Sequence, residues 1–120
     1  MWRTHSNVAS VGFHLRHIAG SVDRLTAYLM NESLTEPQLA YLRDEARPGA
    51  SLHELLAAID RTLAATEARL RTIDPTQIHE ARYIGRKRLP TTVLGLLVHI
   101  AEHTQRHLGQ AITTAKFVRT

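Results

Sequence analysis

Residues 94–110 read LGLLVHIAEHTQRHLGQ. The stretch lacks proline and its apolar residues return every three or four positions, which predicts a helix. His99, His103 and His107 fall at successive four-residue steps within it. An α-helix turns about 100° per residue and rises about 6 Å over four residues, so the three imidazoles stand on one stripe. Neighbouring members can reach one metal ion, whereas His99 and His107, two turns apart, are too distant to share it easily. The helix can supply two ligands, and a third has to come from elsewhere.

Working outward, the same periodicity organises the rest of the chain. Ser10 has the chemistry of an N-cap, and Val11, Leu15, Ile18, Val22, Leu25 and Leu29 form an apolar stripe that predicts a helix from about Val11 to Met30. His14, His17, Ser21 and Arg24 lie along an adjoining face, so His17 can point inward beside the seam. Thr35, Pro37 and Gln38 mark the start of a short helix ending near Arg47, before Pro48-Gly49. Ser51 and Glu54 make a capping box for a third helix, with Leu52, Leu55, Leu56, Ile59, Leu63, Leu70 and Ile73 as its seam and Thr66 filling one step. Asp74-Pro75 closes it. Residues 75–90 show no helical period and read as a structured loop. The last helix should begin near Pro90-Thr91-Thr92 and run to about Phe117. No strand pattern competes with these helices, and the expected fold is all-α: an up-down bundle of three long helices and one short one in a single domain, 1–120.

The composition narrows the chemistry. The 15 Lys+Arg against 11 Asp+Glu give +4 at pH 7, which mildly favours anionic partners. No signal-peptide pattern follows Met1, and the longest apolar run, Val93 to Ala101, is too short to span a bilayer, so a soluble cytoplasmic protein with no membrane partner is expected. With no cysteine, thiolate ligands, disulfides and a cysteine nucleophile are excluded. Any metal site must draw on the eight histidines, carboxylates, amides or water.

His99-Ile100-Ala101-Glu102-His103 matches the inverted zinc-protease pattern HxxEH. That reading fails downstream, because no Asp or Glu follows His103 to supply the third ligand. A single helical histidine is ordinarily a half-buried polar group. Three on one stripe, two of them on the face of Leu96, Ile100 and Ala111, are different, since imidazoles without partners are costly in a seam. A metal gives each such nitrogen a partner.

Two segments, SVGFHLRHIAGSVDRL (residues 10–25) and GRKRLPTTVLGLLVHIAEHTQRHLGQ (residues 85–110), resemble the DinB-like helical-bundle superfamily, which includes thiol-dependent transferases and maleylpyruvate-isomerase-like proteins. The likeness covers most of the chain. Members carry a histidine on an early helix and an HxxxH pair on a late one, often followed by Gly-Gln. Here His103-Thr104-Gln105-Arg106-His107 precedes Gly109-Gln110, and His17 matches the early position. The resemblance therefore implies a divalent transition metal, Zn, Ni or Fe, held by His17, His103 and His107. His14 is the rival to His17. His99 is a second-shell or substrate contact or a polar member of the seam, and Glu102 and Gln110 are candidates to orient the ligand rings. His5, His53 and His79 have no motif support and are expected in solvent. Three histidines leave coordination positions open, the arrangement of a catalytic rather than a closed site. The resemblance implies a metal-dependent transferase or hydrolase acting on a small molecule, with a low-molecular-weight thiol as co-substrate. A non-catalytic metal-binding or structural bundle is the alternative.

Family members place a long helix before the one with the early histidine, and only residues 1–10 precede it here. The first helix of the pattern is thus expected to be missing, one groove of the bundle uncovered, and a homodimer formed through it. The basic loop of Arg82, Arg86, Lys87 and Arg88 raises a nucleic-acid-binding alternative. Few aromatic residues and no recognisable DNA-binding helix pair accompany it, so a solvated basic face is the expectation.

Overall fold

A computed structural model of the protein describes residues 1–4 and 8–118. His5 lies outside the described residues. Within them the chain forms α1 (Val11–Leu29), α2 (Glu36–Arg43), α3 (Leu52–Leu70), a 3-10 turn (Pro75–Gln77), β1 (Ala81–Ile84), β2 (Leu89–Thr92) and α4 (Val93–Val118). The cap residues act as their chemistry requires. Ser10 Oγ accepts from the Phe13 amide at 3.0 Å, and Thr35/Gln38 and Ser51/Glu54 each close a capping box.

Helix α1 is the axis of the molecule. It packs against α2, α3 and α4, while α3 and α4 hardly touch each other. Val22, Leu25 and Leu29 of α1 meet Val93, Leu96 and Ile100 of α4 in one apolar cluster. Leu15, Leu55 and Ala111 form a second at the other end. Between these clusters, His14 and Ser21 of α1 pair with His107 and His103 of α4 respectively. Residue numbers rise on one helix as they fall on the other, so α1 and α4 run antiparallel. The helix seam is thus interrupted midway by a polar layer.

Two expectations need correction. The fold is mostly helical but not all-α, because the stretch read as a loop contains a two-stranded antiparallel hairpin pairing Ala81 with Thr92, Arg82 with Thr91, Tyr83 with Pro90 and Ile84 with Leu89. Gly85, at φ 75°, enters its turn. The strand signal is hidden because the partly buried positions of β1 are Arg82 and Ile84, while Tyr83 faces out. Arg82 turns inward because its Nε donates to the Leu29 carbonyl at 2.7 Å, satisfying an orphan acceptor at the end of α1. Pro90 belongs to β2 rather than to the first turn of α4, which starts at Val93 with the Gly95 amide donating to Thr92 Oγ1.

The helix α3 seam is also split. Leu55 and Thr66 are buried, whereas Leu52, Leu56 and Leu63 are exposed. Helix α2 ends at Arg43, short of the expected Arg47, and the turn that follows carries Glu45 into the interior.

Candidate metal centre

His17 from α1 and His103 and His107 from α4 converge, with ligand atoms that all lie within 4.8 Å of one another. Ring centroids are 5.1 Å apart for His17 and His103, 4.4 Å for His17 and His107, and 4.5 Å for His103 and His107. These three groups can hold a metal ion.

The Nδ1 atom of each ring already has a partner. His17 Nδ1 lies 2.7 Å from Glu45 Oε2, His103 Nδ1 lies 3.0 Å from Ser21 Oγ, and His107 Nδ1 lies 3.0 Å from His14 Nδ1. Each ring is therefore left with Nε2 as its free nitrogen. A neutral imidazole that offers Nε2 as a ligand carries its proton on Nδ1. His17 then donates to the Glu45 carboxylate, His103 to the Ser21 hydroxyl and His107 to His14, whose own proton sits on Nε2. Such outer contacts fix ring orientation and tautomer.

Glu45 is held as firmly as the rings. It is buried, and Arg24 Nη1 lies 2.7 Å from its second oxygen, an ionic contact without the angle of a directed hydrogen bond. Burial by itself would raise the Glu45 carboxyl, but the His17 hydrogen bond and the Arg24 guanidinium outweigh it and hold the pKa below its usual value. Gly20 makes the approach possible, since a Cβ there would come within 2.6 Å of Glu45 Oε1. Phe13 stacks on His17 at 5.2 Å, covering that ring from the side.

The other named residues sit apart from the three-ring cluster. His99 is half-buried with its ring 5.6 Å from His103. Glu102 is exposed and faces Arg106 at 4.0 Å, while the Nδ1 partners come from Glu45, Ser21 and His14. His53 and His79 are exposed. Gln110 lines an open cavity of about 650 Å³ together with His14, Arg106, Thr114 and Phe117. A smaller cavity of about 270 Å³ lies between α1, α2 and α3, lined by Asp23, Arg24, Tyr41 and Arg61 and by none of the histidines. Of the basic loop, Arg82 is committed to Leu29, whereas Arg86, Lys87 and Arg88 are exposed, with Arg88 over the Tyr83 ring at 4.6 Å.

Desolvation, followed by the neighbouring imidazoles, lowers His103 and His107 to about 4, and it lowers His14 as well. Both α4 rings are thus neutral at pH 7, the form that binds metal. The same shifts set a pH dependence of folding. The unfolded chain takes up these protons near 6.5 and the folded chain only near 4. Stability is therefore highest above 6.5 and is lost as pH falls from 6.5 to 4. Thermal unfolding of metal-free protein is expected to show a falling midpoint across that window, and a flat profile would show that these rings are not desolvated.

Helices packed about a central α1, with imidazoles from two of them meeting between two apolar clusters, define a helical-bundle protein with a candidate three-histidine centre. A family model for the DinB superfamily matches residues 1–111, and the chain belongs to that superfamily. No curated protein and no solved structure matches it. No helix among the described residues is long and apolar enough to cross a membrane.

Glu45 escaped the sequence reading because it lies in a turn without period or motif. The periodicity of α1 sets Ser21 beside the seam, but nothing in its spacing ties it to His103.

Proposed function

We propose that the protein binds one divalent transition metal, Zn, Ni or Fe, through Nε2 of His17, His103 and His107, and acts as a metal-dependent transferase or hydrolase on a small molecule. The observation that carries this reading is the convergence of the three rings, whose ligand atoms lie within 4.8 Å of one another, while each Nδ1 has another partner and leaves Nε2 available. Imidazole donors suit these metals, and a site with three protein ligands leaves positions for a substrate. A metal held there supplies Lewis acidity towards a carbonyl oxygen or a thiolate. The chain's own residues do the rest. Glu45, Ser21 and His14 hold the rings, and Phe13 limits access over His17. The cavity beside His14 has the volume of a small-molecule site, with Arg106 to meet an anionic group, Gln110 and Thr113 to orient it and Phe117 as an apolar wall. A low-molecular-weight thiol is the first co-substrate to test, in keeping with the DinB resemblance.

Elemental analysis of protein purified without a nickel column is expected to find about one metal ion per chain. A panel of small thiols with electrophilic acceptors then tests turnover. Absence of stoichiometric metal overturns the whole reading, whereas metal without turnover on thiol or hydrolytic substrates overturns only the enzymatic part.

A further inference from the structure

The outer face of α4 carries an apolar stripe that the rest of the chain leaves uncovered. Leu94, Val98, Ala101, Gln105, Leu108 and Ile112 are all exposed, with Val98 at 60% and Ile112 at 51%. Their steps of four, three, four, three and four are those of a heptad seam sustained over roughly five turns. The face that packs on α1, through Leu96, Ile100 and Ala111, points the other way.

This stripe is symmetric about its own centre. Positions 94 and 112, 98 and 108, and 101 and 105 are each equidistant from residue 103. Large apolar side chains occupy both ends, and the small and polar ones occupy the middle. A second copy laid antiparallel sets Leu94 on Ile112, Val98 on Leu108 and Ala101 on Gln105, twice over, so one surface is complementary to itself, as a twofold interface requires. A parallel pairing would instead set Ala101 on Ala101 and Gln105 on Gln105, leaving a gap and a polar pair at the centre.

We propose that the chain forms a twofold homodimer through antiparallel packing of α4 on α4. Beside the stripe, the surface dips into a groove of about 490 Å³ between α3 and α4, formed by Val22, Leu63, Leu70 and Ile100. Because the stripe points away from α1, the incoming α4 lies on the far side of the first α4 and leaves this groove and Leu63 open. His103 and His107 face α1 on the opposite side of α4, so both metal centres stay clear of the interface.

Light scattering on the intact protein at micromolar concentration is expected to give twice the 13.5 kDa chain mass. Val98→Lys and Leu108→Glu should each reduce this to the single-chain mass, with helical circular dichroism unchanged because both positions are exposed. Combining them in one chain should restore the dimer, since antiparallel packing sets each introduced charge against its opposite. A monomeric parent protein, or single variants that stay dimeric, would overturn the interface. A double variant that remains monomeric beside monomeric single variants would overturn the antiparallel register.

Discussion

Glu45→Ala is expected to lower folding stability by about 3–5 kcal/mol, the usual cost of removing one partner from a buried ion pair. Glu45 is 3% exposed and Arg24 8%, so the variant removes the carboxylate that faces a largely buried guanidinium. It also strips His17 Nδ1 of its acceptor. Urea denaturation measures the first effect, and a loss below about 1 kcal/mol would place this cluster in the class of solvated surface pairs. The second effect is separable. Replacing both Glu45 and Arg24 with methionine removes the unpaired charge and should recover most of the stability, because buried ion pairs are often exchanged for apolar residues at little cost. It leaves His17 unheld, and metal affinity should stay about 10–100-fold weaker, the usual effect of losing an outer partner. Recovery of both would mean that Glu45 serves the fold alone.

That experiment falls on the part of the site the sequence hid. Spacing along α1 and α4 was enough to place Leu15, Val22, Leu96 and Ile100 in the seam and to set the histidines of both helices beside it, because a helix converts sequence distance directly into angle. The pairing of His14 with His107 and Ser21 with His103 was not legible, since it depends on how far one helix slides along the other. Glu45 was still further from view: it reaches His17 only because α2 stops at Arg43 and Gly20 offers no side chain. In the hairpin, β1 buries an arginine to cap α1, so the ordinary polarity of a strand is reversed. The exposed Leu52, Leu56 and Leu63 show the opposite case, an apolar pattern whose partner is not in the described residues.

Addition of Zn²⁺ to metal-free protein at pH 7 is expected to raise the unfolding midpoint on the order of 10 °C, given free metal at roughly a hundred times its Kd. Binding to the folded chain alone contributes about 2.7 kcal/mol at that excess, and a domain of this size gains several degrees per kcal/mol. His103→Ala should abolish the shift, because two remaining imidazoles on different helices no longer enclose a point. His53→Ala should leave it intact, since that ring is exposed and outside the cluster. The pH dependence is the sharper discriminator. A surface histidine pair of ordinary pKa is mostly protonated at pH 5.5 and releases its metal, but His103 and His107 are held near 4 and remain neutral there. Stabilisation should therefore fall less between pH 7 and pH 5.5 than at a site whose imidazoles all have the ordinary pKa. A shift that disappears by pH 6, or one that survives His103→Ala, would move the metal away from these three rings and leave their neutral, desolvated arrangement to be explained by packing alone.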